Sequence, residues 1–342
     1  MNEIHLRFPA EWEEQAAVLI AWPHEDTDWS YMLDEVENCY IKVAEAIVAD
    51  EDLIIVTPNP QNVKEKLSHL PSDRIHLYKI LTNDTWARDF GPLSVLKDGV
   101  PVLYDFKFNA WGLKFAADLD NMINTNLFQS GAFKCTLENK LNFVLEGGSI
   151  ESDGCGTLLT TTECLLSPNR NGGSSKEEIE NYLCQQFGFS KVVWLNHGRL
   201  EGDDTDSHID TLARICPGNT IAYVGCDNPS DCHYEDLKRM EVELKEATNA
   251  QGEHFQCVKL PFPSPIFDED GMRLPATYAN FLVTNHRVLV PTYGQADTDN
   301  EALKIIGSLF PNRNIVGIDC RPLIKQHGSL HCITMQFLNG TV

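Results

Sequence analysis

Short apolar runs alternate with amphipathic stretches along most of the chain. Runs of four to six apolar or β-branched residues predict strands at Ala17–Trp22, Leu53–Thr57, Ile75–Ile80, Val102–Phe106, Thr157–Thr161 and Val192–Leu195. Further strands are predicted at Thr220–Val224, Phe281–Thr284, Val288–Val290, Ile315–Ile318 and Leu330–Thr334. Between them, helical spacing predicts helices near Glu35–Ala49, Ala116–Asn126, Lys176–Phe187, Tyr234–Ala247 and Asn300–Leu309. In the first helix Val36, Tyr40, Val43 and Ile47 share one face. Ser174 or Ser175, ahead of Lys176-Glu177-Glu178, supplies an N-cap for the third.

The helix centres recur at intervals of roughly 60 to 80 residues, which predicts an internal repeat. Thr161–Pro168 and Thr284–Pro291 read alike, and Val18–Pro23 follows the same pattern. A strand ending in proline suits that residue's fixed φ and missing donor. Five strand–helix units of one size point to a closed radial arrangement in a single domain, although length alone suggests two.

Composition narrows the function classes. Lys and Arg number 27 against 50 Asp and Glu, for a net charge of −23. That excludes binding to a phosphate backbone, which needs a basic face, and suits a cationic ligand. No apolar run approaches 18 residues, so no membrane span is expected. Met1–Arg7 carries no apolar core with a cleavage site, so no export signal is expected and a cytoplasmic setting follows. The eleven cysteines are then expected as free thiols. Cys226, Cys232 and His233 come nearest to metal-ligand spacing without forming a known pattern.

Four segments concentrate chemistry. Glu201–Asp210 is the densest; run extended, it would place Asp204, Asp206, His208 and Asp210 on one face. A solvated acidic loop, a metal site and a metal-free site with His208 handling protons all fit. Asn83–Pro92 sets Trp86 three residues before Asp89, an aromatic face beside a carboxylate that suits an organic cation. Phe143–Ser149 ends an apolar run with Glu146 and two glycines. His327–Gln336 puts Cys332 directly after His331. Each segment also has an ordinary reading: surface turns for the first three and a core thiol for Cys332.

Together, Trp86-Ala-Arg-Asp-Phe-Gly-Pro92, Glu146-Gly-Gly-Ser149, Gly202–Asp210 and His331-Cys-Ile-Thr334 resemble, in order and spacing, the agmatine deiminase family. This is also called the Porphyromonas-type peptidyl-arginine deiminase family, among the guanidine-modifying enzymes. Pro9–Trp12 and Ala21–Pro23 fit as well, so the resemblance covers nearly the whole chain. It implies an α/β fold, a five-bladed pseudo-symmetric propeller of the pentein type, with residues 1–342 as one catalytic domain. It implies Cys332 as nucleophile, His208 as general acid and base, Glu146 orienting that His, and Asp89 and Asp210 gripping the guanidinium. No metal or cofactor is implied. The loop before Cys332 departs from the family, reading His327-Gly-Ser-Leu-His where three glycines are common, and Ser207 stands where Gly is frequent.

The acidic charge, and the lack of an evident arginine pair for an α-carboxylate, favour agmatine as substrate, with Asp204 and Trp86 as further binding residues. Peptidyl-arginine or another guanidino compound is the alternative within the family. Outside it, a metal-dependent hydrolase and a non-catalytic binder of cationic metabolites remain open. Nucleic-acid and membrane partners are not expected, and oligomeric state is left open.

Overall fold

A computed structural model describes residues 5–342. Met1–Ile4, part of the stretch read for an export signal, lie outside the described residues. The strands form five separate sheets. Each contains a central strand with an antiparallel neighbour on one side and a parallel neighbour on the other. The central strands are Gln15–Ala21, Val100–Lys107, Thr157–Thr161, Thr220–Val224 and Arg287–Thr292. Their parallel partners are Asp52–Thr57, Thr136–Val144, Lys191–Leu195, Gln256–Leu260 and Asn314–Asp319. A parallel pair needs a crossover, and a helix supplies it each time: Leu33–Val48, Ile123–Gln129, Lys176–Phe187, Tyr234–Glu246 and Ala296–Leu309.

Four of the five predicted helices are therefore crossovers, and the remaining one, Ala116–Asn126, only overlaps the start of its crossover helix. Val36, Tyr40, Val43 and Ile47 are all fully buried, as their spacing requires. Ser175 caps the third helix in a reciprocal capping box with Glu178, and Gly188 ends it in a left-handed conformation at φ +78°.

The antiparallel neighbours complete the pattern. Leu93–Lys97, Ile150–Ser152, Ala213–Cys216 and Leu282–Val283 each precede their central strand in the chain. For the first sheet that position is filled by Met335–Leu338, from the opposite end of the sequence. The chain's two ends are thus joined within one sheet.

Three expectations need correction. Leu330–Thr334 is a turn, and the strand begins at Met335. Thr334 donates through both its backbone N–H and its hydroxyl to His331 O, which folds the segment back. Residues 116–126 are not one helix; regular helix runs only over Ile123–Gln129. The preceding backbone is held by Asn83 Oδ1, which accepts from Leu119 N at 2.7 Å and Asp120 N at 3.1 Å. Finally, Pro168 opens a helical turn while Pro291 lies inside a strand, so the two prolines are not equivalent. The repeat resides in the strand–helix–strand units instead.

Candidate active site

The functional side chains sit at one recurring place. Asp89 lies in the helical turn Ala87–Phe90, just before Leu93–Lys97. Glu146, Gly147 and Gly148 immediately precede Ile150–Ser152, and His208 and Asp210 precede Ala213–Cys216. Asn280 precedes Leu282–Val283, and Cys332 precedes Met335–Leu338. Every sheet thus contributes from the approach to its antiparallel strand.

Gly148 is where three of these groups meet. A Cβ there would fall 2.6 Å from His208 Nδ1, 2.8 Å from Asp89 Oδ1 and 3.2 Å from Asp210 Oδ2, so only glycine fits. Gly148 N donates to Asp89 Oδ1 at 3.1 Å, and His208 Nδ1 stands 3.5 Å from the same oxygen. Trp111 Nε1 donates to Asp89 Oδ2 at 2.9 Å. Asp89, His208 and Asp210 are all at most 4% exposed.

Cys332, Asp89, Trp86 and Asp204 line a cleft of about 160 Å³, together with Asp28, Asp84, Trp111, Phe115 and His327. Trp86 is locked on two sides. Its Nε1 donates to Asp84 Oδ2 at 2.9 Å, and a Cβ on Gly328 would meet its ring at 2.1 Å. His208 and Asp210 stand behind this cleft.

The acidic segment departs from the expected extended form. It runs through turns, with Asp206 at φ +62° and Ser207 at φ +65°. Asp206 therefore faces Arg170 Nη1 at 2.6 Å and Lys114 Nζ at 2.8 Å, while His208 and Asp210 turn inward. The predicted shared face does not form.

Glu146 is completely buried, and both its oxygens accept from Arg170 Nε at 2.9 Å. It makes no hydrogen bond to His208, whose Nε2 is buried without a partner. Burial raises the Glu146 carboxyl above its ordinary value, with Arg170 opposing.

A buried polar chain backs the site. His331 Nδ1 lies 2.7 Å from Asp210 Oδ2 and its Nε2 lies 2.7 Å from Glu11 Oε2. Arg214 pairs with Glu11 at 2.5 Å and with Glu151 at 3.1 Å. His331 is thus turned away from the thiol that follows it. The partner of Cys332 Sγ is Asn280 Oδ1 at 3.4 Å, and the same oxygen accepts from His331 N at 2.9 Å.

These contacts separate the Asp89 and Asp210 carboxylates electrically. Burial, followed by the charge of Asp210, raises Asp89 well above the carboxylate range. Burial works against Asp210 too, but the His331 hydrogen bond together with the charges of His331, His208 and Arg214 holds that carboxyl below its ordinary value. Burial depresses His208 to about 3, leaving a neutral imidazole. Cys332 is raised well above an ordinary thiol by burial and then by Asp210 and Asp89.

Sequence reasoning missed Trp111, Asn280, Arg170, Glu11 and Arg214. Asn280 was accessible in principle, because it holds the fifth sheet's equivalent of the other four site positions. Among the described residues, two groups bring three possible metal donors within 4.8 Å: Glu146–Cys164–His208 and Glu201–Cys232–His233. In the first, Glu146 is already engaged by Arg170. In the second, both nitrogens of His233 are taken, by Glu201 N at 2.7 Å and Asp231 Oδ1 at 2.8 Å. Cys226 does not belong to either group.

Similarity to known proteins accords with this geometry. A solved structure from Porphyromonas gingivalis, provisionally named an arginine deiminase, is 51% identical with a TM-score of 0.93, covering 98% of this chain and 99% of that one. A C. jejuni agmatine deiminase, a cysteine-to-serine variant with substrate bound, is 37% identical with a TM-score of 0.93, covering 99% of this chain and 98% of that one. A Marinomonas sp. (strain MWYL1) protein, provisionally named an agmatine deiminase, is 34% identical over 96% of this chain and 94% of its own length. The profile of the Porphyromonas-type peptidyl-arginine deiminase family matches residues 7–337. The chain belongs to the Porphyromonas-type peptidyl-arginine deiminase family, and with it to the C–N hydrolases that act through a cysteine nucleophile.

Proposed function

We propose that this protein hydrolyses the guanidinium of agmatine to N-carbamoylputrescine and ammonia, with Cys332 as the attacking group. The observation that carries this reading is the convergence of Asp89, His208 and Asp210 on Gly148, behind the cleft that holds Cys332. Guanidinium is always charged and its carbon is a poor electrophile. Two buried carboxylates fix it and balance its charge. Asp210 Oδ1 is buried without a partner, which suits it to a substrate N–H.

The bound cation offsets the negative charge facing the Cys332 thiol, so ionisation becomes favourable on binding. Neutral His208 takes the thiol proton. The thiolate sulfur bonds to the guanidinium carbon, the C–N bond breaks, and His208 passes its proton to the departing ammonia. Water then adds to the thiouronium carbon with His208 as base. The C–S bond breaks, releasing the ureido product and restoring the thiol. Each step uses groups of this chain and water alone. Glu146 acts through Arg170 rather than by a direct bond to His208, and Trp86 forms a wall for the substrate.

Agmatine is favoured over peptidyl-arginine by the cleft lining, which contains Asp28, Asp84, Asp89 and Asp204 and no Lys or Arg. A distal ammonium gains from those carboxylates, whereas the α-carboxylate of free arginine or of a peptide ending in arginine is repelled. The recurring sheets, joined through the chain's ends, support blades of a pseudo-symmetric α/β propeller in one catalytic domain with five repeats. No described helix is long and apolar enough to cross a membrane, and all eleven cysteines are free, as a reducing cytoplasm favours.

The test is a substrate panel of agmatine, arginine and a peptide ending in arginine, with ammonia and ureido product measured together. Agmatine should give both in equal amounts. Ureido product from the peptide alone would move the assignment to peptidyl-arginine, and none from any guanidine would refute it.

A further inference from the structure

The mouth of the cleft is built from loops that are otherwise far apart in sequence. Three side chains tie them together by donating to backbone carbonyls. Gln326 Nε2 donates to Asp28 O at 2.9 Å, His327 Nδ1 lies 2.8 Å from Gly202 O, and Lys114 Nζ donates to Asp204 O at 2.5 Å. The result is a partial collar, four loops tied in a row along the cleft, with His327 as the tie between the Cys332 loop and the acidic loop.

His327 holds that place at a conformational cost. Its φ is +65°, in the left-handed region where a β-carbon is disfavoured. Strain kept at the edge of a reactive pocket points to a role that glycine would not fill. Both ends of the tie are mounted on backbone that cannot shift readily. A Cβ on Gly328 would strike the Trp86 ring at 2.1 Å, and one on Gly202, at φ +85°, would strike Arg273 O at 2.3 Å. The His327 ring also lines the same cleft as Cys332 and Asp89.

We propose that His327 is a specificity-determining residue: by tying the Cys332 loop to the acidic loop, it restricts the substrate to a guanidine on a slender, unbranched cationic chain and excludes arginine within a polypeptide. This rests on the deiminase reading above and names the feature that sets its substrate class. An unbranched alkyl chain passes between loops held together in this way, whereas a peptide must leave them in two directions at the Cα branch. Glycine at 327 would relieve the strain and cut the tie. Asparagine tolerates the left-handed region and places an amide donor near the position of Nδ1.

The experiment compares kcat/KM for agmatine with that for N-acetyl-arginine amide in the wild type, His327→Gly and His327→Asn, with Tm recorded for each. The wild type should prefer agmatine. In His327→Gly the ratio should fall at least tenfold while Tm is equal or higher, and His327→Asn should restore the wild-type ratio. A ratio within twofold of wild type in His327→Gly, with agmatine still turned over, would overturn this proposal alone. Turnover of neither compound by the wild type would overturn it together with the deiminase reading.

Discussion

Arg170 Nε stands 2.9 Å from each carboxylate oxygen of Glu146, and neither side chain has any exposed surface. The same guanidinium reaches Asp206 Oδ2 at 2.6 Å and Thr205 O at 2.7 Å. One buried cation therefore joins the approach to the third sheet with the loop that leads into His208. Arg170→Met should leave buried Glu146 without its counter-ion, and Asp206 with Lys114 alone, and lower stability by about 3–5 kcal/mol, the range for a broken buried pair. Urea denaturation measures this; a loss below about 1 kcal/mol would show that the pairing is inconsequential. Arg170→Lys keeps the charge but not the fork, and should fall between the two.

His331 offers a second, separable case, because its two ring nitrogens face Asp210 and Glu11 at 2.7 Å each. His331→Phe keeps the ring and removes both bonds. The Asp210 carboxyl should then move toward its protonated form and bind guanidinium less well. KM for agmatine should rise at least tenfold, with a smaller change in kcat. Equal KM values in variant and wild type would contradict this role for the pair.

The depressed value of His208 has a consequence for stability. Burial holds it at about 3 in the folded protein, against roughly 6.5 in an unfolded chain. Between those values the unfolded chain binds a proton that the folded one refuses. The contribution is thus fully present above about 6.5 and is lost as pH falls toward 3. At about 1.36 kcal/mol per unit, the full effect is roughly 5 kcal/mol at most. His208→Asn should lose less stability than the wild type between pH 7 and pH 4, as read by urea midpoints. Parallel losses would contradict it.

Cys332 should behave as an unactivated thiol until substrate arrives, since burial and the Asp210 and Asp89 charges all oppose the thiolate. Alkylation of Cys332 by iodoacetamide, followed by peptide mass spectrometry, should still be accelerating above pH 9. A plateau below pH 8 would mean that the thiolate is preformed.

Much of the frame was legible in the chain itself. The helix Lys176–Phe187 and the strands Thr157–Thr161 and Thr220–Val224 have the bounds that periodicity predicts. Asp89, Glu146, His208, Asp210 and Cys332 stood out because chemically unusual residues clustered beside glycines. What escaped depends on distance. Arg170 lies 24 residues from Glu146 and 36 from Asp206, and Glu11 lies 320 from His331, so no local pattern marks either. Leu330–Thr334 misled because Leu330 and Ile333 are fully buried, yet within a turn rather than a strand. Alternation in the acidic segment misled likewise, since left-handed backbone at Asp206 and Ser207 redirects the side chains that follow.

The central claim is covalent deimination of agmatine at Cys332. Acid quenching of the wild type during turnover, followed by mass spectrometry of the intact chain and its peptides, tests this most directly. The account predicts a fraction of molecules heavier by agmatine minus ammonia, the added mass lying on the peptide that contains Cys332. It also predicts that Cys332→Ser, folded and still binding agmatine, forms neither adduct nor N-carbamoylputrescine. Undiminished turnover in Cys332→Ser, with no adduct in the wild type, would contradict it.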